Sequence, residues 1–586
     1  MGIPFYYSTV INKYPHIVQK KKDIQVNCNQ LFIDFNAIIH FCSNDLKYNL
    51  KLEKKIINHE KFEQKLIELV CINTQNIIEQ FKSSELNLVY IAIDGVVPFA
   101  KIMQQKKRRF NSVHTQMRKI EDLKQIDIDP FIIEYMENEW NSNNISPQTL
   151  FMQSLEDKLW KFLIKTYNTN KNTDKFDFDI IFTTSAEYGE GEHKIFEYIK
   201  NNPVVKAANE PKNNIFIHGL DADLILLSMI NLYDNQIYLI RQLSDIDHVD
   251  IFNVNEFKKS LSLFVKSKII NTQIRELFDN DLLIYNYAFI CVFLGNDFLP
   301  HLSYISLDNT GLDILIQYII ELINEYEGVD MDKLYANHLL LYFDKDNNQY
   351  KLNNEVLNKL FEKLSKIEDT EFRKYYDKFM KLKIIDKNIL KIHKNMSIEL
   401  FDKHYQHLAI IERKPMIIFS ALNSWRINYY NLLFPNESTH DIQNKVCYNY
   451  IEGLIWYINY YFNQKLPTNG WFYNYNYSPT VLDLYFHSSM NMNYNNIFDK
   501  HPYSQYELNK NDSLIQLMYI LPYGSKDIIN KLTKNKYDIL YDKHHLGLYF
   551  PHKYELITYF KKNYWACCPN IPFLPITELR KFITPV

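Results

Sequence analysis

Glycine and cysteine are both used sparingly in this sequence of 586 residues. It holds 12 glycines, far fewer than the average frequency of about 7% would give. Those present are therefore expected where the backbone needs a residue without a side chain. None of the seven cysteines forms a CxxC pair, and their number is odd. The sequence predicts a reducing compartment, with no disulfide framework and no structural zinc.

Long hydrophobic runs and a strong net charge of one sign are also missing. No stretch approaches the ~18 apolar residues of a membrane helix, and residues 1–6 show no signal-peptide pattern, so no membrane partner is expected. The net charge is −3, so a site for a polyanion is expected to be local. With 46% hydrophobic residues, the chain can bury a core, which excludes wholesale disorder.

Short apolar runs alternate with longer amphipathic stretches in the first part of the chain. The amphipathic stretches include 60–82 and 149–166, whose periodicity predicts helices. Strand followed by helix, repeated, predicts an α/β fold with a mainly parallel sheet flanked by helices. The predicted strands are 31–34, 88–94, 178–183, 215–219 and 237–241.

Composition changes twice along the chain and predicts three parts. Residues 1–335 form the α/β domain. Residues 336–414 are richer in Lys, Asp and Asn and are expected to form a helical connector. Residues 415–586 are dense in Tyr and Trp, which predicts a second, mostly helical aromatic-rich module that buttresses the first.

Acidic residues follow the predicted strands, at the edge where sites form in open α/β sheets. Five of the 12 glycines lie within two residues of these acids, as expected where backbone crowds a ligand. Those glycines are Gly95, Gly189, Gly191, Gly219 and Gly295. The seven acids are Asp34, Asp94, Glu190, Glu192, Asp221, Asp223 and Asp297.

Seven carboxylates in one cleft could not all stay ionised unaided, because like charges raise one another's pKa values. Oxygen-preferring divalent cations, Mg²⁺ or Mn²⁺, would relieve that repulsion. A pair of such ions would activate an attacking water and stabilise the leaving oxygen of a phosphodiester. Taken one at a time, each aspartate after a strand has another interpretation, as a helix N-cap.

A basic strip follows Asp94 in the sequence. Pro98 suits the first turn of a helix. Three cations and an amide then recur at i, i+4, i+7 and i+8, on one helix face: Lys101, Gln105, Arg108 and Arg109. Beside a metal cluster this face suits a terminal phosphate, which arginine can bind through two hydrogen bonds. Lys106 and Lys107 are expected to point elsewhere, into solvent, and a wholly solvated basic helix is the alternative for the strip.

Distinctive blocks of sequence run along almost the whole chain. In the first part they are 1–4, 13–15, 32–40, 92–98, 104–110 and 143–147, followed by the sharpest three, 189–194, 219–225 and 295–301. In the second module they are 425–430, 450–456, 516–522 and 571–573. In this order the blocks resemble the Xrn-type 5′→3′ exoribonucleases, and only about 336–410 falls outside the resemblance.

The resemblance implies a PIN- or flap-nuclease-like fold for the α/β domain and a role for each matching residue. The seven acids would be the catalytic, metal-binding residues, and the basic strip would bind the 5′-monophosphate. His40 and an aromatic residue of the second module would sandwich the first base. Trp471 is the candidate, although the family has two tryptophans there and this chain has one. A place in the core is the alternative for Trp471.

The activity that the resemblance implies is metal-dependent, processive 5′→3′ degradation of single-stranded RNA. The RNA would carry a 5′-monophosphate, the products would be nucleoside 5′-monophosphates, and the enzyme would be a monomer of the cytoplasm or nucleus. Two rivals are a flap-endonuclease-like DNA nuclease and a non-catalytic RNA-binding scaffold. The DNA nuclease would not need the second module or the basic strip, and the RNA-binding scaffold would not need all seven acids.

Departures from the family pattern predict a minimal catalytic core. The long C-terminal extension of the cytoplasmic branch is missing, as is the zinc knuckle of part of the nuclear branch. Heavy use of Tyr, Phe, Asn, Lys and Ile indicates an A/T-biased coding sequence. Such a bias is typical of a large DNA virus or of an A/T-rich protist. For a viral protein, the virion would be a further expected location.

Overall fold

The computed structural model describes most of the chain. The described residues are 2–170, 175–203, 212–241, 249–384, 386–420, 424–435, 439–490, 494, 497–498, 503–510, 512–536 and 545–583. The chain divides into two compact units, each made from three separate segments. The first unit comprises Met1–Asn29, Phe196–Met380 and Ile417–Ser504, and the second unit comprises Gln30–Ile195, Lys381–Met416 and Gln505–Val586. No described helix is both long enough and apolar enough to cross a membrane.

The second unit contains three parallel strands. They are β2 (Gln30–Asp34), β3 (Leu88–Ala92) and β6 (Asp179–Thr183). Strand β3 lies between the other two, with Ile33 opposite Ile91 and Ile91 opposite Phe182. All five residues of β3 are buried, which is why it is an unbroken apolar run in the sequence.

Helices and short ribbons complete the second unit. Side chains of Asn58 and Thr149 cap the two helices that follow them, by accepting hydrogen bonds from the backbone of the first turn. The helices are α2 (Asn36–Leu52), α3 (His59–Phe81), α4 (Phe99–Leu123), α5 (Pro130–Glu137), α6 (Leu150–Tyr167), α15 (Ile398–Ile411), α19 (Ser513–Ile520), α20 (Lys526–Thr533) and α21 (Ile576–Ile583). Helix α7 (Gly191–Asn201) begins in this unit, and the ribbons are β4 (Asn168–Asn170) with β5 (Lys175–Phe176) and β12 (Leu556–Ile557) with β13 (Cys568–Pro569).

The first unit contains four further strands of mixed direction. They are β1 (Val18–Lys20), β7 (Asn214–His218), β8 (Gln236–Arg241) and β9 (Asp250–Asn253). Strands β7 and β8 are parallel, with Ile215 opposite Ile237. Strand β9 lies antiparallel to β8 on one side and to β1 on the other. The carboxyl end of β7 leads directly into the segment that carries Asp221 and Asp223.

Helices make up most of the rest of the first unit. They are α1 (Tyr6–Lys13), α8 (Asp223–Ile230), α9 (Val254–Lys266), α10 (Thr272–Leu277), α11 (Asn280–Ile290), α12 (Gly311–Asn324), α13 (Met331–His338), α14 (Asn354–Met380), α16 (Trp425–Leu433), α17 (Thr439–Ile458) and α18 (Val481–Ser489). A hairpin joins β10 (Leu341–Asp344) to β11 (Gln349–Leu352). A π-helical turn, Asn459–Asn463, extends α17, and such turns often mark functional positions.

The predicted fold class is confirmed. The pairs β2–β3, β3–β6 and β7–β8 are parallel, and helices flank them. The predicted helices 60–82 and 149–166 correspond to α3 and α6. Residues after 415 form the expected helical, aromatic-rich region. The division into 1–335, 336–414 and 415–586 stays a prediction, since both compact units draw on several parts of the chain.

Candidate active site

Asp34 and Asp94 lie together at the carboxyl ends of neighbouring parallel strands. Asp34 is the last residue of β2, and Asp94 follows the end of β3 by two residues. Both face Gly191, where an added Cβ would lie 3.0 Å from Asp34 Oδ1 and 3.4 Å from Asp94 Oδ1. The absence of a side chain at Gly191 therefore lets the backbone of a third segment reach both carboxylates.

Two donors fix the orientation of Asp94. The backbone N–H of Gly191 donates to Asp94 Oδ1 at 2.7 Å, and the Asn36 side-chain amide donates to Asp94 Oδ2 at 2.6 Å. Burial raises the pKa of Asp94, and the nearby Glu190 carboxylate raises it further. The Gly191 hydrogen bond acts in the opposite direction.

The segment that carries Gly191 brings two more carboxylates. Glu190 and Glu192 are both buried, and their oxygens lie with a nitrogen of His193 in a group whose atoms are all within 4.8 Å of one another. Burial lowers the pKa of His193 to about 3, and Lys101 adds to the effect. The imidazole is therefore neutral at physiological pH and available as a ligand or hydrogen-bond partner.

A close backbone crossing holds this acidic segment against the end of β3. Gly95 N–H donates to Gly189 O at 2.9 Å, and Gly189 N–H donates to Val96 O at 2.8 Å. A Cβ at Gly95 would collide with the carbonyl oxygen of Glu187. The loop after β3 and the loop before α7 therefore need glycine where they cross.

Two lysines offset the negative charge around these acids. Lys101 Nζ lies 2.6 Å from Glu190 Oε2. Lys194 is buried and donates to the carbonyl oxygens of Ile93, at 2.7 Å, and Thr184, at 3.0 Å. The Lys194 ammonium thus links the strand end that carries Asp94 to the neighbouring strand end.

The strip predicted to bind a phosphate lies along the first three turns of α4. Lys101 is engaged by Glu190, Gln105 is buried, and Arg108 is exposed. Arg109 is buried and donates to Asn143 O at 3.4 Å, to Ile145 O at 3.5 Å, and to the Ser146 hydroxyl. The strip thus combines one exposed cation with one that the 143–146 loop holds in place.

The expectation that Lys106 points into solvent is wrong. Its side chain is 1% exposed, and its ammonium lies 4.3 Å from the ring centroid of Tyr519, 4.8 Å from that of Phe550 and 5.3 Å from that of Phe110. Cation–π attraction and burial of the long alkyl chain explain the position. Lys107, by contrast, is partly exposed.

The other three predicted acids belong to the first unit. Asp221 and Asp223 follow β7, with Asp221 partly exposed and Asp223 buried. The Tyr461 hydroxyl, from the π-helical turn, donates to Asp223 Oδ2 at 3.2 Å. Gly2 packs so closely on the Asp223 carboxylate that a Cβ would overlap it.

Asp297 lies in a tight loop between α11 and α12. Gly295 has a φ of 84°, and a Cβ there would lie 2.7 Å from the backbone nitrogen of His301. This left-handed turn is available to glycine at little cost. Asp297 itself is partly exposed.

The structure thus groups Asp34, Asp94, Glu190 and Glu192 in the second unit, while Asp221, Asp223 and Asp297 belong to the first. The carboxylate oxygens are the kind of donor that Mg²⁺ or Mn²⁺ prefers. Burial is the main cause of the raised pKa of Asp94, and the Glu190 carboxylate adds to it; a bound cation would favour the charged form of both acids. The gathering of all seven acids around two ions stays a prediction.

The two residues predicted to stack on a base differ in exposure. His40 lies on α2 and is partly exposed. Trp471 has 0% exposure and stacks on Trp456, with ring centroids 5.1 Å apart. A Cβ at Gly453 would lie 2.8 Å from Cζ2 of Trp471, so glycine makes room for this ring. The base-stacking role of both residues stays a prediction.

Sequence reasoning missed Asn36 and Tyr461 as partners of the acids. Asn36 had a usable signal, since it stands two residues after Asp34 within a matching block. Tyr461 had none, because it lies 238 positions from Asp223. Lys194 was singled out only as part of its block.

Comparison with known proteins matches both parts of the chain to one family. Residues 1–243 match the family model for the XRN 5′-3′ exonuclease N-terminus, and residues 277–405 and 421–586 match the model for the Xrn1 helical domain. The 5′-3′ exoribonuclease 1 of Saccharomyces cerevisiae is 25% identical over 100% of this chain and 43% of its own length. The human 5′-3′ exoribonuclease 1 is 23% identical over 98% of this chain and 33% of its own length.

A relative named 5′-3′ exoribonuclease 2 matches a smaller part of the chain. The 5′-3′ exoribonuclease 2 of Debaryomyces hansenii is 28% identical over 64% of this chain and 39% of its own length. The alignments thus cover between a third and a half of each of these three relatives.

Proposed function

Since the chain belongs to the Xrn family of 5′-3′ exonucleases, we propose that it is a metal-dependent, processive 5′→3′ exoribonuclease. Its substrate is single-stranded RNA with a 5′-monophosphate, and its products are nucleoside 5′-monophosphates. It acts as a monomer, and its compartment is the cytoplasm, with the nucleus as the alternative.

The observation that carries this proposal is the convergence of Asp34 and Asp94 on Gly191, beside Glu190 and Glu192. These four carboxylates, together with Asp221, Asp223 and Asp297, would hold two ions, Mg²⁺ or Mn²⁺. Such ions supply a more acidic bound water and charge compensation at the scissile phosphate. Asn36 and the Gly191 N–H keep Asp94 in a fixed orientation, which preorganises its oxygens as ligands.

Recognition of the 5′-end is assigned to the strip on α4. Exposed Arg108 is free to move onto a terminal phosphate, and Arg109 offers a guanidinium fixed by the 143–146 loop. Lys101 would exchange its ion pair with Glu190 for the phosphate. Gln105, buried beside them, contributes its side-chain amide as a donor. A triphosphate or a cap would be too bulky for this pocket.

Base stacking completes the proposed recognition. The first base is held between His40 and an aromatic residue of the second module, for which Trp471 is the candidate. Because Trp471 is fully buried, its ring would have to be uncovered when RNA binds. Stacking on aromatic faces tolerates any base, so the enzyme is expected to read the 5′-end and the single-stranded state, with little sequence preference.

The direct test compares matched RNAs with 5′-monophosphate, 5′-triphosphate and 5′-hydroxyl ends, and a matched DNA flap, in the presence of Mg²⁺. The monophosphate RNA is expected to be degraded fastest, with release of mononucleotides. Equal rates on the triphosphate and monophosphate RNAs would overturn the proposal. Preferred cleavage of the DNA flap would favour a flap-endonuclease-like activity instead.

Two variants assign the roles within the same assay. Asp221→Ala is expected to abolish turnover while RNA binding is largely retained. Arg108→Ala is expected to reduce the preference for the monophosphate end. Lys119→Ala, further along α4, is the matched control and should leave that preference unchanged. Wild-type behaviour of both test variants would show that the site is assigned to the wrong residues.

A further inference from the structure

A cleft of about 610 Å³ opens in the first unit, and neither Asp221 nor Asp223 lines it. Its walls include Lys212, just before β7, and residues 232–235, just before β8. Because β7 and β8 are parallel, these segments lie at the amino ends of both strands. Asp221 and Asp223 follow the carboxyl end of β7, so the cleft lies at the opposite edge of the strands. Its volume is within the range of about 300–1,000 Å³ that ligand sites occupy.

The cleft is lined by four lysines: Lys212, Lys258, Lys259 and Lys266. Lys258 forms an ion pair with Asp281, which also lines the cleft, and Lys259 lies 3.8 Å from Glu256. Within the described part of the chain, Lys212 and Lys266 form no ion pair. Asp234 and Asp281 also line the cleft, so four lysines face two acids. The excess of positive charge provides a local potential that attracts anions.

A buried hydroxyl lies in the wall of the same cleft. Ser262, on α9, is 5% exposed and is one of the residues that line the cleft. Its Oγ is covered and has no hydrogen-bond partner among the described residues, so a ligand reaches it through a small movement of the wall. A buried polar group left without a partner lowers the stability of the folded chain. A ligand that hydrogen-bonds to Ser262 would remove that cost.

An exposed aromatic ring stands at the rim. Tyr233 is 43% exposed and lines the cleft, and it is followed by Asp234. Both residues have left-handed backbone, with φ of 41° and 66°, a conformation that non-glycine residues adopt at a cost. The Asn235 side-chain amide donates to the carbonyl oxygens of Leu232, at 2.9 Å, and Tyr233, at 3.3 Å, and so stabilises the turn. The turn thus leaves the Tyr233 ring exposed at the rim of the cleft.

We propose that this cleft is a nucleotide-binding site separate from the catalytic acids. The lysines bind the phosphate, Ser262 donates a hydrogen bond, and the ring of Tyr233 stacks on the base. The shared chemistry is a phosphate joined to an aromatic base, supplied by a free nucleoside monophosphate or by one nucleotide of a single-stranded RNA. The proposal does not depend on the cleavage activity, because it uses none of the residues assigned to it.

Binding to the full-length chain tests the proposal. The probes are AMP, inorganic phosphate, and a 3′-fluorescein RNA decamer with a 5′-hydroxyl end, in EDTA and at one fixed salt concentration. The double variant Lys259→Glu/Lys266→Glu is expected to weaken AMP or RNA binding at least tenfold, and Ser262→Ala about threefold. Tyr233→Asn, which tolerates the left-handed backbone, should weaken nucleotide binding and leave phosphate binding unchanged.

Matched controls separate this role from folding. Lys359→Glu changes an exposed lysine on α14 of the same unit, and Ser228→Ala removes another buried hydroxyl without a partner, outside the cleft. Neither should change binding. Loss of both AMP and RNA binding in the cleft variants points to free nucleotide as a ligand, and loss of RNA binding alone points to the strand. The proposal is overturned if neither affinity changes, or if poly-aspartate competes as well as RNA.

Discussion

At the scale of single residues, the carboxylate of Asp94 is held by two donors. The Asn36 side-chain amide and the Gly191 N–H each hold one of its oxygens. A group that orients a metal ligand in this way typically contributes about 10–100-fold to metal affinity or activity. Asn36 is therefore a positioning residue, and it was not among the residues predicted from the sequence.

Asn36→Ala tests this role. The variant is expected to be about 10–100-fold less active at low Mg²⁺, with part of the activity restored as Mg²⁺ is raised. The measurement is the rate of RNA degradation as a function of Mg²⁺ concentration. Asn49→Ala is the control, because Asn49 is exposed on the same helix and its side-chain amide donates to Asp45, at 3.2 Å, far from Asp94 in the sequence. An Asn36→Ala curve that coincides with wild type would contradict the role.

The burial of Lys106 predicts how the free energy of unfolding changes with pH. Burial lowers its pKa to about 7 from an ordinary value of about 10.4, although the three surrounding rings favour the cation. Between these values the unfolded chain binds a proton that the folded chain does not, so the free energy of unfolding rises with pH. The penalty is complete below pH 7 and is relieved as the pH rises towards 10.

Comparison with Lys106→Met isolates this effect. Wild type is expected to gain stability relative to the variant as the pH is raised from 7 to 9, measured by urea unfolding. Lys119→Met, on the same helix but partly exposed, should show a difference from wild type that does not vary with pH. A pH-independent difference for Lys106→Met would mean that the rings keep the ammonium fully charged.

At the scale of elements, the crossing of two loops at Gly95 positions the acidic segment before α7. Gly95→Ala would force the Glu187 carbonyl away, and overpacking of this kind typically costs about 1–3 kcal/mol. We expect a lower melting temperature and a loss of activity larger than the loss of stability explains. Gly524→Ala is the control for overpacking, since its Cβ would lie 2.9 Å from Cγ1 of Val113 and 3.9 Å from Sδ of Met117, against side chains and away from the acidic segment. Equal activity of the two variants would show that the crossing does not position the acids.

In the first unit, Glu368 ties three helices together. It lies on α14, is fully buried, and accepts hydrogen bonds from the backbone N–H of Val481, at 2.6 Å, and of Leu482, at 3.1 Å, at the start of α18. Arg426, on α16, donates to it at 2.8 Å. The carboxylate thus satisfies the donors of a helix N-terminus and balances a guanidinium charge.

Glu368→Gln is expected to lower the free energy of unfolding by about 3 kcal/mol, because it leaves a mostly buried Arg426 without this partner. Asp369 also pairs with Arg426, at 2.8 Å, but is exposed, so Asp369→Asn should cost less than about 1 kcal/mol. Urea unfolding of both variants gives the comparison. Similar losses for the two would show that burial does not strengthen the Glu368 pair.

At the scale of the whole molecule, the sequence predicts those features that depend on neighbouring residues. The buried parallel strands are visible as unbroken apolar runs, and the acids at their ends follow from chain direction. Strand β1 is short and largely exposed, and it pairs with β9 from more than 200 positions away, so no local pattern reveals it. Lys106 was misplaced for the same reason, since α4 alone gives no sign of Tyr519 and Phe550.

The central proposal is that the seven acids hold two metal ions. The most direct measurement is anomalous diffraction from crystals of the protein grown with manganese. The expected result is two peaks about 3.5–4 Å apart, with ligands that include Asp94, Glu192 and Asp223. Peaks without Asp223 as a ligand, or no peak beside Asp94, would contradict the account.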